Sequence, residues 1–226
     1  MSMPVRLVRL ILVLTLAAAL TSAIAQRSQT RPFQVDGTEM QVRLYPPQGD
    51  GPHPLLLIVP PGLQTARDAG DVMQGYFRDA VADGWLVAAP IAPGTYFHRG
   101  AERLVAPLID AIAEAYPVGD VHLVGVSTGA AGAVKAALLA PDRYASMTLF
   151  PGAPEESDAS SLAGLGDLPV FVYVGAADED RAGVEAGVET LEAAGVAVDL
   201  TVVEGSGHKL PGELGPSLTE RLSSIP

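Results

Sequence analysis

The chain has 226 residues, with 14 basic against 26 acidic side chains, a formal net charge of −12 and no cysteine. So acidic a surface argues against nucleic acid and anionic lipid as partners. The missing cysteines exclude disulfides, thiolate metal sites, a thiol nucleophile and a lipidated N-terminal cysteine.

Residues 1–25 have the layout of a signal peptide: Arg6 and Arg9, an apolar run over 10–20, and Ala23-Ile24-Ala25 ahead of Gln26. The run is shorter than the roughly 20 residues that span a bilayer. Cleavage, secretion or periplasmic residence, and no lasting membrane anchor are therefore expected. The remaining stretch, 26–226, is about 200 residues long, enough for one domain with a real core.

Residues 26–32 read as a loose leader. Segments 33–38 and 39–45 alternate in polarity as two antiparallel strands near a sheet edge, before a Pro/Gly-rich connection over 46–54. Leu55-Leu56-Leu57-Ile58-Val59 is an unbroken apolar run, as a strand buried on both faces should be. Residues 68–82 carry a helical stripe of Val72, Met73, Tyr76, Phe77 and Ala80, stopped at Asp83-Gly84. A strand over 85–89 and an amphipathic helix over 102–116 follow. Val121-His122-Leu123-Val124 is the next strand and 130–140 the next helix. A strand over 145–150, a polar loop over 151–169, a strand over 170–174, a helix over 181–194, a strand over 196–203 and a helix over 213–222 complete the chain. This alternation predicts an α/β fold: a doubly wound, mainly parallel sheet with helices on both faces. Ligands of such sheets bind beyond the carboxyl ends of the strands. The 151–169 insertion is too short for a cap domain, so the site should be open.

Chemistry concentrates at Gly125-Val126-Ser127-Thr128-Gly129, between a strand and a helix. Strand, G-x-S-x-G, helix is the pattern of a nucleophile elbow, whose tight turn tolerates only small residues two before and two after the serine. The pentapeptide alone could arise by chance, so its context decides. A serine nucleophile needs a base to take its proton and an acid to orient that base. His208 is the only histidine after Ser127 and follows the strand ending at Val203 through Glu204-Gly205-Ser206-Gly207. Asp178 follows the strand 170–174 through Gly175-Ala176-Ala177. Asp180 is its leading rival, read instead as the cap of the helix after it; Asp199, in mid-strand, and Glu204 are weaker candidates. The oxyanion of a tetrahedral intermediate needs two N–H donors. Thr128 supplies the first, and in Pro60-Pro61-Gly62-Leu63-Gln64 the second falls to Leu63 before Gly62, since proline has no N–H.

In these residues and their order the chain resembles the α/β-hydrolases, and among them compact, lid-free, exported serine esterases of the dienelactone-hydrolase-like, carboxylesterase and polyhydroxybutyrate-depolymerase-like kind. The resemblance implies Ser127 as nucleophile, Asp178 as acid and His208 as base, with no metal and no cofactor. The chain departs from it in having Pro61-Gly62 where His-Gly often opens the oxyanion loop, and serine where true dienelactone hydrolases have cysteine. Carboxylic-ester hydrolysis through an acyl-enzyme is the expected reaction. A thioesterase, peptidase or acyltransferase could use the same triad, and a hydrolase-fold binding protein is the non-enzymatic alternative. Substrate contacts are expected from Gln64, Tyr96 and Phe97, with Pro151-Gly152-Ala153-Pro154 as a further contributor.

Overall fold

The computed structural model describes residues 28–225 apart from 48, 63, 64 and 213. The signal peptide expected over 1–25 lies outside the described residues. The strands are β1 Gln29–Val35, β2 Thr38–Tyr45, β3 His53–Val59, β4 Leu86–Pro90, β5 Val118–Gly125, β6 Ser146–Leu149, β7 Val170–Gly175 and β8 Val198–Val203. They form one sheet in the order β1-β2-β4-β3-β5-β6-β7-β8. The β1–β2 and β2–β4 pairings are antiparallel, and those from β4 through β3 to β8 are parallel. The α-helices are α1 Ala66–Tyr76, α2 Arg78–Ala82, α3 Val105–Ala115, α4 Thr128–Leu139, α5 Arg181–Ala193 and α6 Leu214–Ser223.

The strand period of two divides the core into two layers. Leu55, Leu57 and Val59 of β3 join Leu108 and Ile112 of α3, Ala133 and Ala137 of α4, and Val188 and Leu191 of α5. Leu56 and Ile58 join Ala69 of α1, Ala80 of α2, and Leu218 and Leu222 of α6 on the other face. The sheet is thus covered on both sides, which is why β3 can be apolar without a break from Leu55 to Val59. Among the described residues, no helix is long and apolar enough to cross a membrane, and the 151–169 connection carries a 3-10 stretch, Glu156–Leu165, rather than a cap domain.

Several boundaries move. Residues 29–32 belong to β1 and pair with β2 from Gln29↔Leu44 to Pro32↔Gln41. Asp36 and Gly37, placed above at the end of a strand, form a two-residue hairpin turn with φ of 46° and 75°. The helix expected over 68–82 breaks at Phe77, whose φ of −123° and ψ of 15° leave the helical region. Phe77 is buried there, its ring beside Tyr76 and Phe150. The helix expected from 102 opens with a 3-10 turn, Glu102–Leu104, before α3.

His122 is an ionisable group inside this core. It faces the same layer as Leu56, is 4% exposed, accepts or donates one hydrogen bond at 2.8 Å to Ser146 Oγ, and lies beside the Trp85 ring. Burial disfavours its charged form and pushes its pKa from 6.5 down to about 4. The unfolded chain then binds the proton more readily than the fold does between those values. The resulting stability is fully present above pH 6.5 and is lost as pH falls toward 4, a change of roughly 3 kcal/mol. Urea unfolding at pH 7 and pH 4 should show this extra loss in the wild type and not in His122→Phe; equal losses in both would contradict it.

Candidate active site

The elbow forms where β5 runs out of the sheet and α4 begins at once. Ser127, between them, has φ 52° and ψ −123°. Asp36, in its hairpin turn, is the only other described non-glycine residue with positive φ. Such a conformation costs about 1–3 kcal/mol and persists only where the surroundings over-determine it. Here they do. The Ser127 N–H donates to Pro151 O at 2.8 Å, Val126 N–H to Val59 O at 3.0 Å, and Phe150 N–H to Gly125 O at 2.8 Å. A Cβ on Gly125 would stand 2.5 Å from Ala130 Cα, and one on Gly129 would stand 2.2 Å from Val59 O. The small-residue requirement of the elbow is therefore a matter of backbone touching backbone, across to the neighbouring strand.

A second close approach brings acid and base together. Ala176 N–H donates to Val203 O at 2.9 Å and Ala177 N–H to Ser206 O at 2.8 Å, so the loops after β7 and β8 run as one unit. Between them a Cβ on Gly175 would lie 2.2 Å from Gly207 O. This glycine was not singled out in the sequence, and its neighbours in space are far along the chain. The result is a continuous relay. Ser127 Oγ lies 2.9 Å from His208 Nε2, and His208 Nδ1 lies 3.1 and 3.2 Å from the two Asp178 oxygens. A carboxylate offers only acceptors, so Nδ1 carries the proton and Nε2 is left to accept from the serine. The Asp178 side chain is 1% exposed and that of His208 51% exposed. One end of the relay is anchored in the protein while the other faces the opening.

Asp180 differs from its expected role. It precedes α5 but makes no side-chain cap hydrogen bond. Its backbone N–H instead donates to Asp178 Oδ1 at 3.0 Å, which fixes the acid. Asp178, Asp180 and His208 bring one potential ligand atom each within 4.8 Å, a set that could accept a metal ion, although Asp178 and His208 are already engaged with each other. Asp199 pairs with Arg221 at 2.9 Å, and Glu204 is exposed in the turn after β8. Of the oxyanion candidates, Thr128 is the first residue of α4, so its N–H has no intrahelical acceptor. Gly62 N–H donates to Thr128 Oγ1 at 2.8 Å, which draws the loop after β3 over the elbow. Leu63 and Gln64 lie outside the described residues.

Two cavities of about 450 and 400 Å³ meet at Ser127, Pro151 and His208. Of the loop 93–99, His98 lines the larger one. Phe97, expected at the substrate, is 2% exposed and packs against α4, where a Cβ on Gly132 would stand 2.6 Å from Phe97 Cβ. The 3-10 turn Phe97–Arg99 turns the apolar side chain inward and the histidine outward. Tyr96 lies against His98 and lines neither cavity. Pro151, Gly152 and Ala153 do line the larger cavity. So does Glu155, which Lys135 of α4 holds at 2.9 Å while also reaching Asp158 at 3.1 Å. The hydrogen bond from Lys135 keeps the Glu155 carboxyl below the usual carboxylate range.

The crowding at Gly175 yields a direct expectation. Gly175→Ala should destabilise the fold by about 1–3 kcal/mol, because a backbone carbonyl must retreat. At Gly183, in α5, nothing lies within 4 Å of the added Cβ, and Gly183→Ala should be neutral or stabilising by up to about 1 kcal/mol. Guanidinium unfolding of the two variants checks the sign of each; a Gly175→Ala protein as stable as the wild type would contradict the packing argument.

Neither a protein-family model nor a curated protein sequence matches the chain. Solved structures do. A "predicted CIB-like hydrolase" from Thermoplasma acidophilum superposes with a TM-score of 0.67 at 20% identity, over 87% of this chain and 98% of that one. A fungal esterase from Rhizomucor miehei gives 0.69 at 14% identity, over 92% and 88%. Est1E from Butyrivibrio proteoclasticus gives 0.65 at 13% identity, over 85% and 95%. With the strand order and the elbow, these likenesses establish the architecture: the chain has the α/β-hydrolase fold.

Proposed function

We propose that the protein is an exported serine hydrolase that cleaves carboxylic esters through an acyl-enzyme. The observation that carries this reading is the relay from Ser127 Oγ through His208 to buried Asp178, at 2.9 and 3.1 Å. It is reinforced by the positive φ of Ser127, a costly conformation held by the elbow contacts and of a kind that clusters at functional sites. Esterases are among the structural neighbours, in keeping with an ester substrate.

In the proposed reaction His208 Nε2 takes the Ser127 proton as Oγ bonds to the ester carbonyl carbon. The resulting oxyanion is held by the Thr128 N–H and by the N–H of Leu63. His208 then gives its proton to the departing alkoxide as the carbon–oxygen bond breaks, leaving an acyl group on Ser127 and a free alcohol. Water repeats the sequence: His208 takes its proton, hydroxide oxygen bonds to the acyl carbon, and Ser127 Oγ leaves and is reprotonated. Asp178 accepts the His208 Nδ1–H and orients the imidazole. Export rests on Arg6, Arg9, the apolar run and Ala23-Ile24-Ala25.

With the full-length chain expressed in a bacterial host, the exported fraction should contain a protein that begins at Gln26 and hydrolyses p-nitrophenyl acetate. Ser127→Ala should lower that turnover by about a thousandfold or more with an unchanged melting temperature. Near-normal turnover in the variant would overturn the nucleophile, and an uncleaved chain retained in the cytoplasm would overturn export.

A further inference from the structure

We propose that the side-chain hydroxyl of Thr128 is a further catalytic group: it donates a hydrogen bond to the oxyanion beside the N–H of the same residue. This rests on the serine-esterase reading and adds to it a donor from a side chain.

The hydroxyl has a proton to give. A threonine oxygen that accepts a hydrogen bond can still donate one. Thr190 and Ser223, within their helices, give that proton to the carbonyl four residues back, at 2.8 Å to Ala186 O and to Thr219 O. Thr128 opens α4, and four residues before it stands Val124, inside β5, so no helical carbonyl is there to take its proton. Its Oγ1 instead accepts the Gly62 N–H at 2.8 Å, and among the described residues no acceptor faces the hydroxyl proton. The bond from Gly62 also strengthens the donor, because a hydroxyl that accepts is polarised to donate. Gly62, a candidate second donor in its own right, thus acts through the threonine.

The hydroxyl is also well placed. Thr128 follows the nucleophile directly, is exposed, and lines the larger cavity together with Ser127 and His208. Its Oγ1 joins the elbow to the loop after β3, the two stretches from which backbone donors to the oxyanion are expected. Gly62 reaches it from a left-handed backbone with φ of 69°, a conformation that glycine adopts freely. The N–H and hydroxyl of one residue can converge on one oxygen. A hydrogen bond to an oxyanion is stronger than one to a neutral carbonyl, so this donor favours the transition state over the bound ester. Both half-reactions pass through such an oxyanion, and the hydroxyl assists acylation and deacylation alike.

Thr128→Val keeps the side-chain shape and the backbone N–H and removes only the hydroxyl. With p-nitrophenyl acetate it should lower kcat and kcat/KM by about tenfold or more. It should weaken a trifluoromethyl ketone, whose adduct on Ser127 carries the same oxyanion, by a similar factor. Thr128→Ser restores a hydroxyl and should stay within about threefold of the wild type on both readouts. Both variants should melt within about 4 °C of the wild type, as befits an exposed position. If Thr128→Val does not fold, Thr128→Ala takes its place in the same comparison. A valine variant as fast as the wild type, a serine variant as slow as the valine one, or slow turnover with undiminished ketone affinity would overturn the role of the hydroxyl alone. No ester turnover and no ketone adduct in the wild type would overturn the esterase reading and this inference with it.

Discussion

The site depends on backbone lying against backbone at the carboxyl ends of the central strands. Gly129 of α4 rests on Val59 O at the end of β3, Gly125 rests on α4, and Gly175 rests on the loop that carries His208. In each case a single Cβ would meet backbone atoms within 2.5 Å, and backbone cannot turn aside as a side chain can. These contacts hold Ser127 in its costly conformation and bring loops after β5, β7 and β8 into hydrogen-bonding range. The Ser127 hydroxyl, the His208 imidazole and the Asp178 carboxylate are brought within hydrogen-bonding range by these loops.

Burial is graded along the relay. Asp178 is enclosed, held by the Asp180 N–H and by His208, whereas His208 is half exposed and borders both cavities. The enclosed end is fixed by hydrogen bonds, and the open end faces the two cavities. The Lys135–Glu155–Asp158 cluster does similar work beside the site, tying the 3-10 stretch after β6 to α4 and fixing one wall of the larger cavity. Among the described residues no cap covers the two cavities that meet at Ser127.

Much of this was legible in the residues. The unbroken run of β3, the alternation of strands and helices, and the placement of Ser127, Asp178 and His208 each just past a strand follow from local periodicity and punctuation. What was not legible depended on contacts distant in sequence. Residues 29–32 look like a polar leader because β1 is an edge strand, where exposed side chains and a proline are tolerated. Phe97 and His98 sit side by side, and only the 3-10 turn decides which of them faces α4 and which the cavity. The backbone role of Asp180, the Thr128 Oγ1 contact with Gly62 and the crowding at Gly175 have no local signal at all.

In the proposed mechanism the His208–Asp178 pair activates Ser127. Peptide mass spectrometry after treatment with diisopropyl fluorophosphate tests it most directly. A single phosphoryl adduct on Ser127 is expected in the wild type, with its loss in His208→Ala. An unmodified Ser127, or equal labelling in both proteins, would contradict it.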